Sequence, residues 1–221
     1  MSQMKGNTKP NPNSIRVKKS RFTTAVLMKM ALLIAMAVVL QAMEFKVPFT
    51  PPWLSIDLSD LPAMLGGIAF GPWHAVIIEV LKNVLKFVTK GTITMGIGEL
   101  ANFVTGCALC VPVALFYART KKFQFVALGM VIGVISFCVI GAIMNIALLM
   151  PLYMEAFGGE AIISMAMDVN PLWNNANTIV LLGVTPFNLI KGMLVSAVTL
   201  LLYKSLAPIL NKEEQQTTNA G

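Results

Sequence analysis

The stretch Val184-Thr-Pro-Phe-Asn-Leu-Ile-Lys-Gly-Met193 decides how the chain is read, because it is a polar island inside an apolar run over residues 179–203. Lys191 lies near the middle of that run. An ammonium at such depth in a bilayer costs on the order of 2.5–3.5 kcal/mol even on lenient insertion scales, so something must compensate it. Asn188, three residues earlier, shares a helical face with Lys191 and places a carboxamide one turn away. Pro186 predicts a local break that frees backbone groups beside both. The spacing therefore points to a small-molecule pocket built on the last helix.

Composition agrees with a membrane setting. The 221 residues are 56% hydrophobic and only 12% charged, against roughly 25% charged for a soluble domain. The net charge of +7 does not indicate nucleic acid, because the bases are not gathered on one folded surface. Six of the seventeen Lys and Arg precede Phe22, and Arg119, Lys121 and Lys122 form a second cluster. Such clustering is characteristic of cytoplasmic flanks. Residues 1–21 read as a flexible basic tail without signal-peptide architecture, 22–206 as the membrane domain, and 207–221 as a polar cytoplasmic tail.

Residues 22–43 form the first predicted span, with Lys29 close enough to its start to snorkel. Ala31 and Ala35 make a small-xxx-small stripe on it. A proline-bearing loop follows, with Pro48, Pro51 and Pro52, and with Phe49 and Trp53 suited to an interface or a lid. Asp60 and Pro62 read as a helix start.

Residues 62–88 can be counted as one kinked span or, broken at Gly71-Pro72, as two short ones covering 62–70 and 73–88. Two short spans give six crossings and bring the tail, the 119–122 loop, Lys204 and Lys212 to the inner side, so the positive-inside rule selects six. The remaining spans are 97–117, 126–150 and 179–203, and 151–178 is expected as a long outer segment.

Charged and amide groups within these spans mark candidate sites. Lys82, Lys86 and Lys90 repeat at four and climb one face toward the outer surface, and Glu79 can pair with Lys82. Glu79, Lys82 and Asn83 lie deeper and need either an internal partner or a ligand. Asn145, near the outer end of the fifth span, fits a helix–helix hydrogen bond or a ligand contact.

Other chemistry finds little support. His74 is the single histidine, too few for a zinc cluster, and Gly91-Thr-Ile-Thr-Met-Gly96 lacks the Lys-Ser/Thr of a P-loop. Cys107 and Cys110 stand in an apolar run as small packing residues. No nucleophile–base pair appears, so an enzyme is not expected. A stand-alone proton-coupled carrier using Glu79 and Glu99 is the competing reading.

Five stretches in order, Ser55-Ile-Asp-Leu-Ser-Asp-Leu-Pro-Ala63, Ile78-Glu-Val-Leu-Lys-Asn-Val-Leu85, Gly98-Glu-Leu-Ala-Asn-Phe103, Met144-Asn-Ile-Ala-Leu-Leu-Met-Pro-Leu-Tyr153 and Thr185-Pro-Phe-Asn-Leu-Ile-Lys-Gly192, together resemble one family. It is the substrate-binding S components of energy-coupling factor (ECF) vitamin transporters, the riboflavin-binding RibU type, and the resemblance covers roughly residues 29–206.

The resemblance implies an all-α integral membrane bundle of six transmembrane helices that takes up riboflavin from outside and is multi-pass in the cell membrane, with both termini cytoplasmic. It implies no cofactor, riboflavin or FMN as transported ligand, and as partners a membrane coupling subunit and two cytoplasmic ATPases. Ligand contacts fall on Asn145, Asn188 and Lys191, with Glu79, Lys82 and Asn83 as further candidates, and the coupling subunit's contact falls on Ala31 and Ala35.

Overall fold

A computed structural model describes residues 23–51, 53–91, 96–120 and 123–219. Residues 1–22, which include the basic tail, Pro52, residues 92–95, Lys121, Lys122 and residues 220–221 lie outside the described residues, as do the side chains of Phe123 and of the residues beyond Tyr203. The described chain is helical apart from a two-stranded hairpin.

Helix α1 (Thr24–Ala42) starts where the Thr23 hydroxyl accepts the Val26 N–H at 3.4 Å. It is apolar all round, and Met28, Leu32 and Val39 remain exposed on the face turned from the bundle, as expected of a lipid-facing surface. Strands β1 (Phe45–Lys46) and β2 (Ser55–Ile56) pair antiparallel, Phe45 opposite Ile56. The proline-bearing loop is thus a hairpin whose returning arm leads into the bundle.

Helix α2 (Asp60–Phe70) is buried along most of its length. Its eleven residues span about 16 Å at 1.5 Å each, roughly half the hydrocarbon thickness. Gly71, at φ 107°, takes a conformation that side chains disfavour, and Pro72 opens α3 (Pro72–Lys90); the Gly-Pro pair makes the break that the sequence predicts.

Helices α4 (Ile97–Thr120) and α5 (Phe123–Met144) pack closely because α5 presents glycines to α4. A Cβ on Gly129 would stand 2.8 Å from the Val113 Cα, and one on Gly133 would meet the Leu109 carbonyl. Small residues permit this approach between membrane helices.

Two π-helical turns, Asn145–Leu149 and Ile179–Val184, are the unexpected backbone features. Each runs into a proline-containing helix: Pro151 in α6 (Met150–Phe157) and Pro186 in α9 (Thr185–Asn219). Proline cannot donate to the helical ladder and crowds the carbonyl four residues earlier, here Ala147 and Leu182, both inside the widened turns. The break predicted at Pro186 is therefore a wider turn rather than an interruption.

The long segment 151–178 is largely helical. It folds into α6, α7 (Gly159–Met167) and the short α8 (Ala176–Thr178). Met150, Ala166, Trp173 and Val180 form a second core against Trp53 and Leu54 of the hairpin.

Among the described residues, four stretches are long and apolar enough to cross a membrane: Thr24–Ala42, Ile97–Thr120, Gln124–Phe157 and Ala176–Tyr203. Helix α2 is too short and α3 too charged to meet that measure, so length and apolarity alone give four crossings where the sequence reading counts six.

Candidate substrate-binding site

Asn188 and Lys191 lie on the buried face of α9, as their spacing requires. The Lys191 ammonium is 2.8 Å from Asp57 Oδ2 and 3.7 Å from Asp60 Oδ2. Asp60 also pairs with Lys82, whose ammonium reaches Ser59 Oγ at 3.1 Å and Glu79 Oε2 at 2.9 Å. Five charges therefore alternate through the bundle in the order Asp57, Lys191, Asp60, Lys82, Glu79. This arrangement answers the desolvation cost of each buried charge with an opposite neighbour.

Asp57, in the loop before α2, is fixed on its other oxygen by the Ser59 N–H at 2.9 Å. Burial alone would raise its pKa, but the Lys191 and Lys82 ammonium groups and these hydrogen bonds prevail and hold it well below the usual carboxylate range.

A cavity of about 630 Å³ opens beside this chain of charges, within the range of roughly 300–1,000 Å³ usual for small-molecule sites. Trp53 and Leu54 from the hairpin, Leu149 at the end of the first π turn and Tyr153 after it, and Val184 and Phe187 around the second supply apolar wall. Trp53 and Tyr153 meet edge to face, with ring centroids 6.3 Å apart. Phe49, by contrast, is 86% exposed at the hairpin tip and takes no part in the wall.

Asp57, Asn102, Thr105, Asn145, Asn188 and Lys191 give the cavity its buried polar surface. Asn145 donates its amide nitrogen to the Gly141 carbonyl at 2.8 Å, and its Oδ1 has no partner among the described residues. Asn188 has none at all among them, although its residue is only 8% exposed. Polar groups of buried residues are ordinarily hydrogen-bonded, and this amide instead faces the open cavity. Lys86, Lys90 and Glu44 form the more exposed end, each lysine 3.8 Å from Glu44.

Three candidates stand elsewhere. Glu79 and Lys82 are fully buried and do not line the cavity, because each already faces an opposite charge. The Glu79 carboxylate is pressed on Gly106 of α4, where a Cβ would meet its carboxyl carbon at 2.7 Å. Asn83 lies behind the wall, donating to the Glu79 carbonyl at 2.8 Å and accepting from Asn102 at 3.0 Å. Lys82 thus turns inward, away from the outward ladder that Lys86 and Lys90 continue. Ala31 and Ala35 are exposed on α1.

Sequence reasoning missed Asp57 and Asp60 as the partners of the buried lysines. The signal was available: two ammonium groups at membrane depth require carboxylates, and Ser55-Ile-Asp-Leu-Ser-Asp60 carries a pair where the chain enters α2.

A helical bundle that spans the bilayer and encloses a half-polar cavity defines a membrane receptor or carrier for a small molecule. The family model described as ECF transporter, substrate-specific component, matches residues 26–203, and the chain belongs to that family. This membership sets aside the stand-alone proton-coupled carrier.

Among its relatives, the chain is 32% identical to the riboflavin transporter RibU of Staphylococcus aureus over 188 residues, 84% of this chain and 92% of the relative. It is 28% identical to the riboflavin transporter FmnP of Bacillus subtilis, over 85% of this chain and 94% of the relative. A solved S component of a bacterial ECF transporter superposes with a TM-score of 0.68 at 30% identity, covering 84% of this chain and 97% of that one.

Proposed function

We propose that this chain is the riboflavin-binding component of an ECF importer, capturing the vitamin from outside. The observation that carries this reading is the buried, unpartnered Asn188 amide, one helical turn from Lys191 on the wall of an aromatic-lined cavity. The relatives named as riboflavin transporters support it.

Riboflavin joins a flat apolar ring system to an imide edge with one N–H between two carbonyls. A carboxamide answers that edge with a donor and an acceptor together, and Asn188, Asn145 and the Lys191 ammonium supply the set. Trp53, Tyr153 and Phe187 provide apolar area for the ring. Glu79, Lys82 and Asn83 act on the ligand only by holding this polar wall in place. FMN fits the same reading if its phosphate is left at the open end with Lys86 and Lys90.

The six crossings comprise α1, α2, α3, α4, α5 and α9, with α2 shielded by its neighbours, α3 keeping Glu79 and Lys82 on its buried face and Val84 and Val88 on its exposed one, and both termini cytoplasmic. The exposed Ala31 and Ala35 form the face for a membrane coupling subunit, and two cytoplasmic ATPases supply the energy.

Purified protein should be yellow from co-purified flavin, should quench flavin fluorescence when reloaded after stripping, and should support uptake only with the coupling proteins. Folded protein that binds no flavin overturns the reading.

A further inference from the structure

We propose that Asp57 sets the charge selectivity of the cavity, cancelling the Lys191 ammonium so that the site admits a neutral hydrogen-bonding edge and rejects an anionic one. The inference rests on the flavin reading above and specifies what that site excludes.

A lone lysine at the base of an apolar cavity attracts carboxylates, phosphates and other anions. Here the ammonium has an opposite charge on the same cavity surface, since Asp57 and Lys191 both line it and stand 2.8 Å apart. Asp60, 3.7 Å away, adds a second carboxylate from behind. Lys82 does not restore the balance, because Glu79 and Asp60 both face it. The buried cluster thus contains three acidic side chains against two basic ones, and it has no cation to spare for an incoming anion.

Lys191 can still donate a hydrogen bond to a carbonyl, because an ammonium carries three protons. An anion at the same position meets the Asp57 carboxylate at close range and in poorly screened surroundings. The other charged groups of the cavity, Glu99, Lys86, Lys90 and Glu44, line its wall and its open end, so the nearest charge to the Lys191 ammonium is the one on Asp57.

Riboflavin supplies its own test, because its imide N–H ionises in alkaline solution and changes charge without changing size. The dissociation constant of the purified full chain is measured from neutral pH to beyond that ionisation, which is read from the absorbance of the free vitamin. Wild type and Asp57→Asn are each normalised to their own neutral value. Lys86, Lys90 and Tyr153 are present in both proteins, so their effects cancel in the comparison. Folding is checked by recovery of binding on return to neutral pH.

The expected result for wild type is a dissociation constant rising about tenfold per pH unit past the ionisation, as for a site that takes only the protonated form. In Asp57→Asn the carboxylate on the cavity surface is gone and Asp60 stays behind the ammonium at 3.7 Å, so the rise should be at least tenfold smaller. Equal rises in the two proteins, or a wild type indifferent to the ionisation, overturn the proposal. If that variant does not fold, Asp57→Ser is put through the same comparison, and an indifferent wild type still overturns the proposal. Absence of riboflavin binding by wild type at neutral pH is a different failure, that of the flavin reading itself.

Discussion

The Asn188 carboxamide rests on Gly141 of α5 so closely that a Cβ at residue 141 would collide with Nδ2. The same glycine's carbonyl accepts from Asn145 at 2.8 Å. One residue without a side chain therefore sets the positions of two of the cavity's amides, Asn145 and Asn188. Replacing it with alanine would push Asn188 from its place while leaving the apolar core of α5 intact. Gly141→Ala is expected to weaken flavin binding about as much as Asn188→Ala, each by roughly 1–3 kcal/mol, the range for a buried polar partner left unpaired. Fluorescence titration of both variants measures this, and wild-type affinity in Gly141→Ala would show that the glycine does not position the amide.

Asp60 serves two lysines, pairing with Lys82 and standing 3.7 Å from Lys191. Its removal leaves an ammonium buried without full compensation, an effect on the order of 3–5 kcal/mol. Asp60→Asn should therefore lower thermal stability more than Asn188→Ala does, although Asp60 is absent from the cavity surface. A thermal unfolding series in detergent, with and without flavin, tests this. Unchanged stability would mean that the charge chain is not a structural element.

The sequence made much of this legible through cost. Lys191 and Asn188 stand out because hydrocarbon surroundings make them expensive, and the structure places both on the cavity wall. The Gly71-Pro72 break and the short α2 follow from residue types alone. Asp57 and Asp60 were harder to assign because a carboxylate in a loop or at a helix start has an ordinary local explanation, and their pairing with Lys191 spans more than half the chain. Local spacing puts Lys82 on one face with Lys86 and Lys90 and within reach of Glu79, a pair the structure holds at 2.9 Å, but it carries no sign of Asp60, which tertiary packing brings to the same ammonium. The π turns also escaped, since a proline announces a missing donor without specifying how the preceding turn adapts.

The open end of the cavity makes a prediction about charge. Lys86 and Lys90 are each 3.8 Å from Glu44, with their side chains 26% and 44% exposed. Exposed pairs contribute little to stability and are screened by salt, so these lysines are available to a phosphate. If FMN binds with its phosphate there, the double variant Lys86→Gln, Lys90→Gln should lose at least threefold more affinity for FMN than for riboflavin, and FMN binding by wild type should weaken as salt is raised. Parallel losses for the two ligands would place the phosphate elsewhere. Titrations at two ionic strengths provide the comparison.

Ala31 and Ala35 call for a different outcome, because α1 turns them away from the cavity. They stand on the exposed side with Met28 and Leu32, where a small stripe lets another helix approach closely. A tryptophan at either position adds bulk on that exposed face without entering the core formed by Met30, Ala37 and their neighbours. Ala31→Trp and Ala35→Trp should therefore leave flavin binding within about twofold of wild type, since substitutions on an exposed face usually change stability by no more than about 0.5 kcal/mol. Uptake by the complete importer should fall by at least tenfold, and co-purification with the coupling subunit should fall with it. Comparing binding by the isolated chain with uptake in cells or proteoliposomes separates the two effects. If binding and uptake decline together, the alanine face belongs to the folding of the bundle; if uptake survives, the coupling subunit docks on another surface.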